Sequence, residues 1–422
     1  MSLTPVPTRG SRLGSYGPVL RQPVLRRILP GMLASALGDG MSMVAVAWLA
    51  VQIAPPGQTG VWTGLAVAAY ALPATIGAGL LGRLVRGLSG AGLVAVDASL
   101  RAVALGTIAV LAVAGVLTPG VYVALLAVSS LMHAWGSAGT YTLIAELLPE
   151  EDRIAGNALV STFALGATVI GPALAGAMTT VVGPGWVIGL DAVSFAILAA
   201  SCWLSPARAA VHKPVGTAPA GTAPVGVATS GWRTILGQPR LLGLLVTTCV
   251  FFFLYGPVEV ALPIHVARDL DGSPSLLGAF WAVFGVGAIA GGLGAGLLRN
   301  RPLWAVVVGI IVGWGAALLP VALTDAIVPG LIGFGIGGLI YGPYIAICTT
   351  LFQRLSPPEV LSRVLATRTA LTIPSTALGA LLGGPVVGAI GAQPTLLASG
   401  LLTIALGLVV AVIVGVGVAR AR

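Results

Sequence analysis

Twelve stretches of roughly 20 or more apolar residues, each long enough to cross a bilayer as a helix, alternate with short polar connections along the chain. They run over 28–53, 62–82, 91–117, 120–144, 156–182, 184–205, 241–266, 275–298, 302–324, 328–352, 366–391 and 393–418. The pattern predicts an all-α integral membrane protein with twelve transmembrane helices. The polar connections differ in charge. The residues before the first stretch (Arg9, Arg12, Arg21, Arg26, Arg27), the even-numbered connections (Arg83, Arg86, Arg153, Arg208, Lys213, Arg233, Arg240, Arg299, Arg301, Arg354, Arg363) and the end of the chain (Arg420, Arg422) hold all but three of the 21 Lys and Arg. Arg268 stands alone on the opposite side, and Arg101 and Arg368 fall inside helices near their cytoplasmic ends. Under the positive-inside rule both termini are cytoplasmic, with tails at 1–27 and 419–422.

Composition narrows the class. A hydrophobic fraction of 57%, a charged fraction of 8% and a mean hydropathy of +1.03 exclude an ordinary soluble domain, in which about a quarter of residues are charged. A net charge of +9 would fit nucleic acid as a partner only if it formed a block or stripe. Here it is spread over short loops, so it is read as orienting the chain against anionic lipid headgroups. No nucleic-acid partner is expected. The first apolar run is too long for a signal-peptide core and carries Asp39, so it stays as the first span. Basic residues that are all Arg except Lys213, with abundant Ala, Gly and Val, point to a GC-rich bacterial genome and hence to the bacterial cytoplasmic (inner) membrane. Cys202, Cys249 and Cys348 lie in apolar helices without metal-ligand spacing, so neither disulfide nor metal is expected. Lys213 follows Val211-His212, so the chain has no phosphate-binding P-loop. No cofactor is expected.

The longest polar interruption, 206–240, contains two Gly-Thr-Ala-Pro units (Gly216 to Pro219, Gly221 to Pro224) and reads as a flexible cytoplasmic linker. It separates six helices at 28–205 from six at 241–418. The halves echo one another: Pro149-Glu150-Glu151-Asp152-Arg153 before the fifth stretch returns as Pro358-Glu359 through Arg363 before the eleventh. Two six-helix repeats that rock about a midplane site give alternating access.

From the fourth to the sixth stretch the chain resembles the major facilitator superfamily, and within it the drug-efflux branch related to macrolide and enterobactin exporters. The resemblance rests on Glu146-Leu147-Leu148-Pro149-Glu150-Glu151-Asp152-Arg153, Asn157-Ala158-Leu159, Gly171-Pro172 and Asp191-Ala192-Val193-Ser194-Phe195, with Arg363-Val364 and Gly383-Gly384-Pro385 in the second half. It covers about 28–418 and implies the two-bundle, pseudo-symmetric major facilitator fold. Gly171, Pro172 and Gly176 fall in register with the family's antiporter motif, which implies export, although Ala167 and Ala175 replace two of its glycines. The loop after the second stretch departs from the pattern: in Gly82-Arg83-Leu84-Val85-Arg86-Gly87, Arg86 stands where the family places an acid that latches the cytoplasmic gate. The fourth stretch lacks the family's arginine; His133 lies nearby but out of register.

Charged groups inside a span cost about 3 kcal/mol or more when unpaired, which makes them functional candidates. Asp39 and Glu259, with the i, i+4 pair Asp97 and Arg101, are the candidates for proton coupling. Asp191 is placed near the exterior end of the sixth stretch, where it would cap the helix or reach water, and His133 is read as hydrogen-bonded in the core. Candidate lining for an amphipathic substrate is Met41, Met43, Trp48, Tyr70, Tyr141, Phe251, Phe252, Tyr255, Trp281, Tyr341 and Tyr344. The reading is a monomeric secondary active transporter that exports an amphipathic small molecule (drug, antibiotic or siderophore-like) by proton antiport, with the proton gradient as energy source. An uncoupled metabolite or lipid carrier on the same fold is the alternative. A membrane enzyme would need clustered His or acidic residues on one face, whereas His133, His212 and His265 are scattered.

Overall fold

The computed structural model describes residues 16–206, 225–298, 300–357 and 360–420. The expectations for Arg9, Arg12, Arg208, Lys213, His212, both Gly-Thr-Ala-Pro units, Arg299, Pro358, Glu359 and Arg422, and for the Arg420 side chain, lie outside the described residues. Among those described, twelve helices are long and apolar enough to cross a membrane: α1 Pro23–Ile53, α2 Thr59–Arg83, α3 Gly90–Val113, α4 Pro119–Leu147, α5 Glu150–Val182, α6 Pro184–Trp203, α7 Pro239–Asp269, α8 Pro274–Leu298, α9 Leu303–Leu323, α10 Ile327–Leu355, α11 Leu361–Ile390 and α12 Ala392–Gly415. Each overlaps one apolar stretch. Several begin earlier than hydropathy indicates, because a helix's first turn is polar by preference. The first turn of α5 holds Glu150, Glu151 and Asp152, where carboxylates meet the positive end of the helix dipole. Gln22, Ser89 and Thr118 cap α1, α3 and α4 by accepting from the N–H groups of Leu25, Gly92 and Val121, which satisfies donors the helix itself cannot.

The two halves repeat in detail. α5 and α11 both end at a glycine with positive φ, Gly183 at 85° and Gly391 at 91°, a conformation only glycine adopts without strain. α4 and α10 are both interrupted near their middle, at Leu131-Met132 and at Gly342-Pro343. The packing repeats too: α1 on α5, α3 on α6 and α2 on α4 recur as α7 on α11, α9 on α12 and α8 on α10. Part of the 206–240 segment departs from the flexible reading, since Val225–Leu236 is helical. Ile235 is buried, and Gly231 lets the backbone lie against Arg363 and Thr367 of α11.

The bundles meet through α2 on α11 and α5 on α8. In both crossings the close approach lies at the end away from the chain termini. Gly60 of α2 sits on Gly384 of α11, and Gly176 of α5 on Gly278 of α8, with no room for a Cβ at either. Small residues of this kind let membrane helices touch through their backbones. At the terminal face α2, α5 and α8 present exposed side chains instead, among them Leu80, Ile154, Leu293 and Leu297. The seal at the far face is reinforced by Arg268, at the end of α7, which donates from Nη2 to the Thr59 hydroxyl across the bundle interface. His265 and Asp269 on the same turn pair through Nδ1 and Oδ2 at 2.8 Å.

A hydrogen bond from a charged donor contributes about 1.5–3 kcal/mol, so Arg268→Ala should move the conformational equilibrium toward far-side opening by about tenfold or more. Spin labels at the exposed positions Val61 on α2 and Ile390 on α11 would report this as a longer-distance population. An unchanged distance distribution would remove Arg268 from the seal.

Candidate functional site

Two carboxylates of the first six helices, Asp39 and Asp97, lie against Arg101. This side chain is 2% exposed and reaches from α3 to α1, where Nη1 lies 2.6 Å from Asp39 Oδ1. The Tyr70 hydroxyl of α2 donates to the same carboxylate oxygen at 2.8 Å. The guanidinium also lies over the Phe195 ring of α6, 4.8 Å from its centroid, and over Tyr70 at 5.7 Å, so four helices surround one cation. Its partnership differs from the sequence expectation. Asp97 shares a helix face with Arg101, yet their closest approach is 3.7 Å, and neither Asp97 Oδ1 nor Arg101 Nε has a hydrogen-bond partner. The long arginine side chain satisfies its terminal nitrogen across the helix gap and leaves its own i−4 neighbour a weaker contact. Asp97 instead fills the space beside Gly136 of α4, where a Cβ would collide with its carboxyl group.

Asp191 also departs from expectation. It neither caps a helix nor reaches water, being fully buried. It accepts hydrogen bonds from the Ser42 hydroxyl of α1 and, at 3.3 Å, from Ser194 one turn on. The absence of a side chain at Gly38 admits the Asp191 carboxyl group against α1. One stretch of α1 thus takes part in two contacts: Gly38 and Ser42 face Asp191, and Asp39 faces Arg101.

His133 is exposed, so the core hydrogen-bonded reading does not hold. It opens the second half of α4 directly after the break and lies within electrostatic reach of Arg101 and Asp39. The Asp39 side chain is 37% exposed at mid-span. An ionisable group with that access in the middle of a helix faces water or a bundle interior, because lipid would penalise it. Sequence reasoning missed the role of Glu146. Its carboxylate accepts from the Gly90 N–H at 3.1 Å, which places an acid from α4 at the N-terminus of α3. Arg86, at the position where the family has its acid, is exposed. Glu146 was visible only as part of the stretch that carries the family resemblance.

The second bundle is aromatic where the first is charged. Phe251, Phe252 and Tyr255 of α7, Trp281 and Phe284 of α8, Trp314 of α9, and Phe334, Tyr341 and Tyr344 of α10 form a continuous network of rings 4.7–6.3 Å apart. Trp281 is 4% exposed and edge-on to Phe284 and Phe334, so it packs the core instead of lining a cavity. Phe251 and Tyr344 are likewise buried, as are Met41 and Trp48 of α1. Phe252, Tyr255 and Tyr341 are half-buried, and Met43 and Tyr141 in the first bundle are exposed. Tyr70 belongs to the Asp39 cluster. Glu259, half-buried one turn beyond Tyr255, has neither hydrogen bond nor ion pair among the described residues. Arg368 of α11 donates to Thr349 at 2.8 Å and lies over the Phe352 ring. On α5, Gly171 packs against the Gly40 backbone of α1, while the Pro172 carbonyl and Gly176 meet Gly278 of α8. That stretch therefore touches both bundles.

The unequal partners of Arg101 can be measured. Thermal unfolding of purified variants, combined as double-mutant cycles, should give a coupling of about 1–3 kcal/mol for Asp39→Asn with Arg101→Gln. The same cycle with Asp97→Asn should give less than about 1 kcal/mol. Equal couplings would contradict the geometry.

The Major Facilitator Superfamily profile matches residues 28–372. The chain is 28% identical over 397 residues to the Multidrug efflux pump Tap of Mycobacterium tuberculosis and Mycobacterium bovis, across 90% of this chain and 91% of that protein. It is also 28% identical to the Uncharacterized MFS-type transporter y4rN of Sinorhizobium fredii, across 64% of this chain and 66% of that protein, just under two thirds of its length. Among solved structures, the nucleoside transporter NupG superposes with a TM-score of 0.69 at 14% identity, covering 92% of this chain and 98% of that one. A bacterial homologue of the human lysosomal transporter Spinster superposes with a TM-score of 0.67 at 14% identity, covering 93% and 95%. The chain belongs to the Major Facilitator Superfamily, as a multi-pass membrane transporter and not an enzyme.

Proposed function

We propose that the protein is a proton-coupled exporter of amphipathic small molecules, working by alternating access in the bacterial cytoplasmic membrane with both termini inside. The observation that carries this reading is Asp39: a mid-span carboxylate, partly open to solvent, bonded to the one arginine around which four helices pack. Protonating Asp39 removes its charge and weakens its hold on Arg101. A ligand, here a proton, shifts a two-state equilibrium by its differential affinity for the two states, and this pair differs in strength between them if α1 and α3 move relative to one another. With the terminal face cytoplasmic, the sealed far face is exterior, and the bundles stand open toward the cell. That is the state from which an exporter loads. The partial antiporter motif on α5 and the 28% identity to a multidrug efflux pump support outward transport of drug-like molecules.

The uncoupled carrier is favoured by one observation, the exposed Arg86 where a gate acid is expected, and the same experiment decides between the two. Proteoliposomes loaded with a fluorescent amphipathic dye should show efflux that falls at least about tenfold when an ionophore abolishes the pH gradient. Asp39→Asn should insert normally and lose the gradient-driven component. Efflux indifferent to the gradient would establish the carrier reading instead.

A further inference from the structure

We infer that the linker helix Val225–Leu236 is an interfacial anchor for the leaflet at the terminal face. Its outer edge enters the leaflet, and Arg233, Arg240 and Arg363 take the headgroup phosphate of an anionic phospholipid. This goes beyond the export reading and holds whatever molecule is transported.

The described end of the linker helix has two different edges. Gly231 and Ile235, four residues apart and therefore on one edge, turn inward: Ile235 is fully buried, and a Cβ at Gly231 would meet the Arg363 carbonyl and Thr367 of α11. Trp232 and Leu236 repeat that spacing one position on. They turn outward, 40% and 50% exposed, with Arg233 beside them. Tryptophan and leucine on the outer edge of a helix that also bears arginine are the composition of a segment lying in a membrane interface.

The level of the helix agrees. Arg363 and Thr367 belong to the first two turns of α11, which begins at Leu361, so the contact lies within about 10 Å of the start of that span at 1.5 Å per residue. At the other end only Gly237 and Gln238 separate the linker helix from Pro239, where α7 begins. A helix pinned between the ends of two spans is at headgroup level, where tryptophan concentrates.

The charge at this corner has one sign. Arg233 of the linker helix, Arg240 in the first turn of α7 and Arg363 in the first turn of α11 are all exposed. None of the three side chains has a hydrogen bond or ion pair with another described residue. No carboxylate occurs between residues 225 and 246 or between 361 and 368. Topology accounts for the arginines, but not for an exposed tryptophan and leucine next to them. A phospholipid uses both: its phosphate accepts parallel N–H donors from guanidinium groups, and its acyl chains receive the apolar edge. A soluble anion would use the charge alone, and a protein partner would have no need of headgroup level. A lipid held here ties the starts of α7 and α11 to the leaflet.

The purified full-length protein is reconstituted into phosphatidylcholine vesicles with increasing fractions of lipid brominated near the headgroup end of its acyl chain, either phosphatidylglycerol or phosphatidylcholine. Bromine quenches tryptophan on contact, and the fluorescence missing from Trp232→Phe isolates the Trp232 signal. Brominated phosphatidylglycerol should half-quench that signal at a mole fraction at least about tenfold below that of brominated phosphatidylcholine, since each arginine near an anionic surface contributes about fivefold. Arg233→Gln, Arg240→Gln and Arg363→Gln together should remove the preference while quenching persists. The same loss of charge elsewhere on the terminal face, through the exposed Arg21→Gln, Arg26→Gln and Arg27→Gln, should leave the preference intact. A Trp232 signal that neither lipid quenches would mean that this edge meets water or another protein, and would overturn the inference. Equal quenching by the two lipids would overturn the headgroup site. So would a preference lost equally in both triple variants, or one abolished by inorganic phosphate but not by chloride at the same ionic strength, the mark of a soluble-anion site.

Discussion

The first bundle is organised by the need to keep one guanidinium solvated without water. Arg101 has almost no exposure, and an arginine inside a membrane-spanning helix costs several kcal/mol unless protein groups replace its hydration. α1 supplies a carboxylate, α2 a tyrosine that bonds that carboxylate and lends its ring, α6 a phenylalanine face, and α3 a second, looser carboxylate. The relative positions of these helices are therefore tied to the charge on Asp39. Asp191 extends the constraint, since Ser42 binds it from the same helix that carries Asp39.

The glycines explain how such a rigid cluster can belong to a moving protein. The bundles touch each other through backbone against backbone at Gly60 with Gly384 and Gly176 with Gly278, contacts that offer a smooth surface and few side chains to unlock. Specific polar bonds are concentrated inside a bundle, with the Arg268 to Thr59 bond a named exception between bundles. Strong interactions within each bundle and shallow ones between them favour rocking of the bundles; on the proposed reading the Asp39 to Arg101 bond is the place inside the first bundle where α1 can shift against α3.

Twelve spans were legible because they depend on composition over long windows, which hydropathy reports directly; the distribution of arginine supports the orientation proposed above. The site was legible in part. Asp39, Asp97, Arg101, Asp191 and Glu259 stand out as charges that topology does not explain, yet their pairing does not follow from spacing. The i, i+4 rule pointed to Asp97 for Arg101, because sequence describes a helix's own face and not the helix opposite, where Asp39 lies. Asp191 looked peripheral by its position along α6, whereas its environment is set by Gly38 and Ser42 on α1, 149 residues away along the chain from Ser42. Trp281 could not be separated from cavity-lining aromatics, since packing and lining residues have the same composition. Arg268 was the exception to the charge rule, and the structure supplies its reason: it crosses the bundle interface instead of marking topology.

The repeat sharpens the division of chemistry. α4 and α10 are interrupted at comparable places, and α5 and α11 end in the same glycine conformation, so the two halves share a backbone plan. Their side chains have parted. Beside the break in α4 stands His133, within reach of an arginine and an acid; beside the break in α10 stand Tyr341 and Tyr344 in a cluster of rings. On the proposed reading one half manages charge and the other contacts an apolar molecule, so neither half can couple the two processes alone. The coupling must pass where the bundles touch, and α5 is the helix placed to carry it: Gly171 rests on α1 directly beside Asp39, and one turn later Gly176 rests on α8, whose Phe284 packs against Tyr341. A shift of α1 that follows the charge on Asp39 would reach the aromatic half through α5, beside the direct contacts that α1 makes with α7 and α8.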